Sequence, residues 1–500
     1  MKSLKFVLCS LVMVCYAGVL SAQELIPTPV SVSYKGNKRV KIEQVDAKVD
    51  ASLNLPEEGY TLEIKGTTAV LRAKTAQGLV WANTTLAQLK DEEGLVRIAK
   101  IKDYPAFPIR GFMHDNGRNF RSVENLKKDI DLFSAYKLNV FHWHLTDNPA
   151  WRIESKCYPV LNDPKYCPAA RNPGKFYTYD EIRDVIKYAK ERGVMIIPEL
   201  DIPGHSQYFW TIFGVQMESE KGMKILDKLF AEFFAEISAE DCPYIHLGSD
   251  EVRRKMKDAE GFVRYYEQFL AKHNRIPIVW DPGIKPSSTT ICQIWNEAIK
   301  NSIAENKTYS NPYLDSYMGY LNHSNPVNNM HRHFLHQMCA AEKGSDRALG
   351  GILCLWNDVR LASEEQLFPI NGMPLAMLPF AERAWVGGKG YGLDYDMLVP
   401  GPTKAELEEL LSNCTWEWTT LNDVYGYKVT GPNGNSIFLP AAGYRYGTSS
   451  GDVGSLGFYW SSTPYGDNDY YAFSLYFYSD GCDWDWYGRD FGQSVRPVLE

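Results

Sequence analysis

Tyr244-Ile-His-Leu-Gly-Ser-Asp-Glu-Val252 is an apolar run that ends on two adjacent carboxylates, Asp250 and Glu251. The run reads as a short strand. Burying two carboxylates beside a strand costs free energy unless they are paired or put to use. A structural ion pair with Arg253 or Arg254 is the plainer alternative. The same pattern recurs outward in both directions. Ile109–Met113, Val140–Leu145, Val194–Pro198, Ile276–Trp280, Thr290–Trp295, a weaker run at Tyr313–Tyr317, and Gly350–Trp356 are further short apolar runs. Helical patterns such as Asn125–Tyr136, Tyr179–Arg192 and Lys224–Ile237 lie between them. Eight strands alternating with helices over residues 105–400 predict an α/β fold, a (β/α)8 TIM barrel. Such barrels carry their chemistry at the carboxyl ends of the strands. Those ends read His114-Asp115, Thr146-Asp147, Glu199-Leu-Asp201, Ser249-Asp250-Glu251, Trp280-Asp281, Trp295-Asn296 and Trp356-Asn357-Asp358. An acid, an amide or a Trp stands at nearly every position of one rim.

The rest of the chain divides around this segment. Residues 23–104 alternate polar and apolar positions, with strands predicted at Tyr60–Ile64 and Ala69–Arg72 and a helix at Ala76–Leu89, a small α+β domain. Residues 402–500 hold 21 of the 66 aromatic residues and five basic against thirteen acidic side chains. Pro400-Gly401-Pro402 marks the boundary, and the composition beyond it predicts a compact, loop-rich β or α+β module. Residues 1–22 carry Lys2 and Lys5, then an apolar run from Phe6 to Leu20, then Ser21 and Ala22. That is the pattern of a secretory signal peptide, and it predicts export to the periplasm, the cell surface or beyond. No later stretch is apolar enough to predict a spanning helix. The whole chain, 45% hydrophobic and 23% charged, is of globular composition, and its net charge of -8 argues against nucleic acid as a partner. Eight cysteines lie beyond the leader, without CxxC pairs; Cys157 and Cys167 are spaced to close a loop.

His246-Leu-Gly-Ser-Asp-Glu251 resembles the motif of family 20 glycoside hydrolases, the β-N-acetylhexosaminidases. Asp115-Asn-Gly-Arg118-Asn-Phe120, His142-Trp-His-Leu-Thr-Asp147, Pro198-Glu-Leu-Asp201-Ile-Pro-Gly-His205, Tyr313-Leu-Asp315, Leu355-Trp356-Asn-Asp358 and Ala381-Glu-Arg-Ala-Trp385 resemble the family's other motifs in the same order, and Gly59 to Leu89 resembles the domain that precedes its barrel. The resemblance covers roughly residues 25–390 and implies a retaining exo-enzyme that takes terminal β-linked N-acetylhexosamine from glycans, with no metal or other cofactor. It also implies substrate assistance, in which the 2-acetamido carbonyl is the nucleophile. The spacing is compatible, because neighbours on a strand end diverge and cannot easily flank one carbon as acid and nucleophile. By resemblance, Glu251 is the general acid and base, raised in pKa by the carboxylate beside it. Asp250 holds the acetamido N–H and stabilises the oxazolinium. Asp147 and His205 couple to the acid, and Arg118 grips ring hydroxyls. Asp201 belongs to the same shell. Trp280, Trp295 and Trp356 wall the sugar, Tyr313 bonds the acetamido oxygen, and Asp315 and Asp358 bind hydroxyls or the acetamido group. Ser249 stands where the family more often has Gly, Asn119 where it has His, and Asp358 where it has Glu.

Asn413-Cys-Thr-Trp-Glu-Trp418, Leu439-Pro-Ala-Ala-Gly-Tyr444, Tyr459-Trp-Ser-Ser462 and Ser494-Val-Arg-Pro497 resemble the Fibrobacter succinogenes major paralogous domain. This implies a C-type-lectin-like module for adhesion or for binding a sugar or protein. Two rivals to the hydrolase stay open. One is a non-catalytic carbohydrate-binding protein on a hydrolase barrel. The other is a metal-dependent hydrolase, suggested by the His142-Trp-His144 pair with His205 and His246 in reach.

Overall fold

In a computed structural model of the protein, residues 25–166, 172–388 and 403–493 are described, apart from 253, 297, 306, 322–325, 357, 359–360, 369–372, 422, 447–448, 466–470 and 489–490. The leader expected at 1–22, Cys167 and its loop with Cys157, the ion-pair candidate Arg253, Asn357, Pro400-Gly401-Pro402 and Ser494–Pro497 lie outside the described residues. The chain forms two units, one up to Gly390 and one from Tyr391.

The first unit opens with five strands, β1 (Ser31–Lys41), β2 (Gln44–Val49), β3 (Tyr60–Lys65), β4 (Thr68–Ala73) and β5 (Leu95–Asp103), and the helix α1 (Ala76–Gln88). They form one sheet in the order β1-β5-β3-β4-β2. In β3 and β4 every second residue is buried, which is the alternation of a sheet with one covered face. Tyr60, Leu62 and Leu71 pack there against Trp81 and Leu86 of α1.

The barrel comes next. All eight predicted runs are strands: β6 (Ile109–Asp115), β7 (Val140–His144), β8 (Met195–Glu199), β9 (Tyr244–His246), β10 (Ile276–Asp281), β11 (Ile291–Ile294), β12 (Tyr313–Asp315) and β13 (Ala348–Leu355). They pair in parallel in chain order, and β13 closes on β6 from Gly350↔Ile109 to Leu355↔His114. Met113, Val140, Ile197, Ile278, Leu314 and Ile352 fill the interior. The outward residues pack on the surrounding helices, among them α2 (Val123–Ala135), α3 (Tyr179–Lys190), α4 (Gln207–Phe213), α5 (Glu220–Glu236), α6 (Ala259–Lys272), α7 (Pro326–Leu335) and α8 (Met373–Val386). None of the helices among the described residues is long and apolar enough to cross a membrane.

The small domain is fastened to the barrel by buried charge. Lys137, fully buried at the end of α2, places Nζ 2.8 Å from Asp103 Oδ2 and 2.9 Å from the Tyr60 hydroxyl. Trp385, at the end of α8, donates from Nε1 to Asp103 Oδ1 at 2.9 Å and belongs to the core of the small domain. Arg110 at the start of β6 meets Glu58 at 2.6 Å beneath the same tryptophan. The Ala381–Trp385 motif is therefore the barrel's attachment to the domain before it.

In the second unit, α9 (Lys404–Asn413) begins with a capping box of Thr403 and Glu406. Among the described residues nine short strands follow in three antiparallel sheets, and Leu407, Tyr427, Val429, Leu439, Tyr459, Leu475 and Phe477 form their core. Asp483 and Asp485 lie on the exposed face of the strand Gly481–Gly488.

Candidate active site

The turn after β9 shows how the carboxylates are presented. Gly248, Ser249 and Glu251 all have positive φ, at 67°, 74° and 46°. Such a turn strains residues with side chains, and sites of function are where strain of this kind is retained. Ser249 sits in the region that glycine adopts without cost, which is the physical content of its departure from the family pattern. Gly248 has no alternative, since a Cβ there would lie 1.9 Å from Asp201 Oδ1. Across the gap, Gly204 approaches so closely that its Cβ would fall 2.4 Å from the Asp250 carbonyl. The turn is held by Asp201, which accepts from Ser249 N at 3.2 Å, and by Ser249 Oγ donating to Ile202 O at 2.8 Å.

This turn sends the two carboxylates to different surroundings. Asp250 is buried, and its Oδ1 has no hydrogen-bond partner among the described residues. An orphaned buried oxygen of this kind calls for a ligand. Burial lifts the Asp250 carboxyl to about 6; His205 opposes the shift and Glu199 adds to it. Glu251 is 44% exposed, and its Oε2 lies 3.3 Å from His205 Nε2. His205 turns its other nitrogen to Asp147 Oδ1 at 3.4 Å. Burial disfavours a charged His205 ring, but the hydrogen bond with Asp147 and the charges of Asp201, Asp147 and Asp250 outweigh it, lifting the ring to about 10.

Asp147 is the hub. Its Oδ2 meets His144 Nε2 at 3.0 Å and Arg118 Nη2 at 3.1 Å. Burial would raise its carboxyl; His144, His205 and Arg118 override this and hold it well below the usual range. Arg118 also pairs with Asp115 at 2.8 Å and lies over the Trp356 ring at 5.3 Å. The charge of the exposed Asp358 reaches the same guanidinium.

Below this layer lies a group that the sequence motifs place at a strand end but give no role. Glu199, fully buried, meets His144 Nδ1 at 2.5 Å and accepts from Trp280 Nε1 at 2.7 Å. His142 Nε2 stands 2.8 Å away but out of line for a hydrogen bond, and His246 Nδ1 stands at 3.3 Å. Burial lowers His142 to about 4 and disfavours charge on His144 too, but there Glu199 and Asp147 win and hold the ring well above its ordinary value. One buried carboxylate and one buried imidazolium thus compensate each other. The donor atoms of His142, Glu199 and His246 are also close enough together to hold an ion, which is the geometric basis of the metal-dependent rival.

An aromatic cup stands beside Asp250. Trp280, Trp356 and Tyr320 have ring centroids 5.6–6.5 Å apart, and Trp295 stacks on Tyr320 at 6.2 Å with 9° between planes. Four expected contacts are corrected by this geometry. Tyr313 does not reach the cup: β12 turns Leu314 inward, so Tyr313 faces the helices and donates to Cys339 O at 2.9 Å. Asp315 faces out for the same reason, bound by His336 Nε2 and the Cys339 N–H, each at 2.7 Å. Trp280 has no exposed surface and forms the floor under the cup, its N–H taken by Glu199. Asp201, 1% exposed, supports the Gly248–Glu251 turn and is out of reach of a sugar; burial and the Asp250 charge push its carboxyl well above the usual range. Tyr320, in the loop after β12, carries no strand or motif signal and is the residue missed. Glu199 and His144 were both visible as polar residues ending apolar runs.

Family models match three stretches of the chain. Residues 17–104 match glycosyl hydrolase family 20, domain 2, and residues 107–218 match the catalytic domain of that family. Residues 398–498 match a domain of unknown function, DUF8237, which leaves the lectin-like reading an expectation. The chain is 32% identical over 340 residues to a beta-hexosaminidase of Porphyromonas gingivalis, covering 54% of this chain and 43% of that protein. It is 41% identical over 181 residues to a beta-hexosaminidase of Vibrio furnissii, covering 33% and 30%. It thus spans less than half the length of either relative. Its fold is that of a beta-N-acetylhexosaminidase from Bacteroides fragilis, at a TM-score of 0.64 and 21% identity over 78% of this chain and 94% of the other. Residues 17–218 thus match two domains of glycosyl hydrolase family 20, and the rim motifs stand in order on a closed barrel.

Proposed function

We propose that the protein is a retaining exo-β-N-acetylhexosaminidase acting by substrate assistance. The observation that carries this reading is the divergence at the β9 turn: Asp250 buried with an unpartnered Oδ1 beside an aromatic cup, Glu251 exposed against His205. The beta-hexosaminidase relatives support the substrate class.

A terminal sugar enters with its acetamido group toward Asp250, Trp356, Trp295 and Tyr320. Asp250 Oδ1 accepts the acetamido N–H, which turns the acetamido oxygen toward the anomeric carbon. Tyr320 suits the tyrosine's role that Tyr313 cannot fill. Arg118, fixed by Asp115 and Asp147, grips ring hydroxyls, with Asp358 close by. Glu251 donates its proton to the leaving oxygen. The acetamido oxygen closes on the anomeric carbon, and the positive charge of the oxazolinium is held by Asp250. Glu251, now the base, takes a proton from the water that opens the ring, so the configuration is retained. The aromatic walls keep other water out. Asp147 and His205 hold Glu251 in place between the two steps.

Hydrolysis of 4-nitrophenyl N-acetyl-β-D-glucosaminide beside the plain β-glucoside, each with and without EDTA, tests the reading. Activity on the acetamido sugar alone and untouched by EDTA supports it. Activity abolished by EDTA transfers the chemistry to a metal. Binding without turnover of any N-acetylhexosaminide makes the barrel a carbohydrate-binding protein.

The apolar run Phe6–Leu20 supports export to the periplasm or surface, and amino-terminal sequencing of the secreted form is the test. The aromatic-rich second unit, with Tyr425, Tyr446 and Trp486 exposed, supports a binding role of its own, read by a glycan array.

A further inference from the structure

Glu251 borders a second cavity. It has a volume of about 400 Å³ and is walled by Asn148, His205, Gln207, Trp210, Gln216 and Arg254. That is within the usual 300–1,000 Å³ of a ligand site. None of the cup residues Trp280, Trp295, Tyr320 and Trp356 lines it. Glu251 therefore stands between two spaces, the cup that takes the acetamido sugar and this cavity.

The cavity is built around Trp210. In α4 its neighbours Tyr208 and Phe209 are buried, while Trp210 is 51% exposed. Its ring stacks on no other aromatic ring and its indole N–H makes no hydrogen bond among the described residues. A flat apolar face with a free donor at its edge is poor surface and good sugar platform, since pyranose C–H faces pack on aromatic rings. Polar groups surround it. The side-chain amides of Gln207 and Gln216 carry no hydrogen bond among the described residues, so both are available to hydroxyls. The far wall is firm: Arg254 makes two 2.7 Å hydrogen bonds to Glu218 and one of 3.0 Å to Pro203 O.

We propose that this cavity is the leaving-group subsite and that it binds a sugar ring stacked on Trp210, so the natural substrate is an oligosaccharide rather than an N-acetylhexosamine on a non-sugar aglycone. The inference rests on Glu251 being the general acid, because a proton donor must touch the oxygen joining the two residues of the substrate. The group beyond that oxygen then falls on the side of Glu251 away from the cup. This cavity lies there, with an aromatic platform and free amides.

The test separates this inference from the proposed activity. Wild type and Trp210→Ala are compared on N-acetyl-β-D-glucosaminyl fluoride, whose leaving group is too small to touch Trp210. They are compared also on a panel of β1,2-, β1,3-, β1,4- and β1,6-linked disaccharides with N-acetylglucosamine at the non-reducing end. On the disaccharide the wild type cleaves best, Trp210→Ala should lose about tenfold in kcat/KM, mostly through KM, while the fluoride changes less than about twofold. Trp210→Phe should restore most of the loss. Equal losses on both substrates, no loss on either, or a wild type that cleaves the fluoride and none of the disaccharides would each overturn the subsite. Inactivity on the fluoride itself would overturn the hydrolase reading instead.

Discussion

Glu251 and Asp250 are neighbours whose environments predict opposite experimental behaviour. Glu251→Gln removes an exposed carboxyl that no packing depends on. Turnover should fall by 10²–10⁴-fold or more, with the melting curve unchanged by circular dichroism. Asp250→Asn should also abolish activity, yet raise stability at pH 8. The folded carboxyl titrates at about 6 against an ordinary 3.8, so folding favours its protonated form. Stability is then lost as pH rises between those values, and the deficit persists above. Two pKa units correspond to on the order of 3 kcal/mol. A higher melting temperature for Asp250→Asn at pH 8, shrinking toward pH 4, is the expected result. The kcat/KM of the wild type should fall below pH about 6, where Asp250 loses its charge. Both carboxylates were legible as a pair in Ser249-Asp250-Glu251. Which was buried was not, because that depends on the backbone of the turn and on Gly204 closing over Asp250.

Among the elements, the turn after β9 and the end of β8 work as one device. Gly248→Ala would put a methyl against Asp201 and force alanine to a φ near 67°. The backbone term alone costs about 1–2 kcal/mol, and relief of the clash must displace Asp201 from Ser249. A loss of at least about tenfold in kcat with folding retained is expected, read by kinetics beside a thermal melt. Glu199→Gln takes from His144 one of the two carboxylates that hold its charge and leaves the other, Asp147, shared with Arg118 and His205. Removing one member of a buried pair costs about 3–5 kcal/mol, so a melting temperature lowered by several degrees should accompany the loss of activity. The positions of the strands were readable because each run is short, apolar and ended by polar residues. Their facing was not. Strands of a parallel barrel are buried on both sides and read as continuous apolar runs. Nothing in Tyr313-Leu-Asp315 says which residue points inward, and the family resemblance assigned Tyr313 and Asp315 to the site, whereas β12 turns Leu314 there.

Across the first unit, the buried Lys137–Asp103 contact joins the small domain to the barrel. Lys137→Ala leaves Asp103 buried beside Tyr60 and Trp385 without its cation, at a cost of about 3–5 kcal/mol. Because the contact spans both parts, a single unfolding transition at lower denaturant is expected, with the small domain and barrel melting together. Two separate transitions would show the domains to be independent. Asp103→Ala combined with Lys137→Ala should cost less than the two single losses added, since each alone strands a charge. Trp385 was visible only as the end of a motif; its place in the core of a domain some 280 residues earlier in the chain depends on packing at long range.

The sequence by itself determined the alternation of strands and helices, the acids and aromatics that end the strands, and the adjacency of Asp250 and Glu251, because these follow from local periodicity and from residue type. Tertiary structure alone decided that Tyr320 completes the cup, that Trp280 is its floor, that Asp201 lies under the turn beside it, that Glu199 gathers three histidines, and that Trp210 and Glu251 line one cavity. Each of these depends on which face a strand or loop turns when the barrel closes. Closure is settled by contacts between residues far apart in the chain, to which a local pattern is blind.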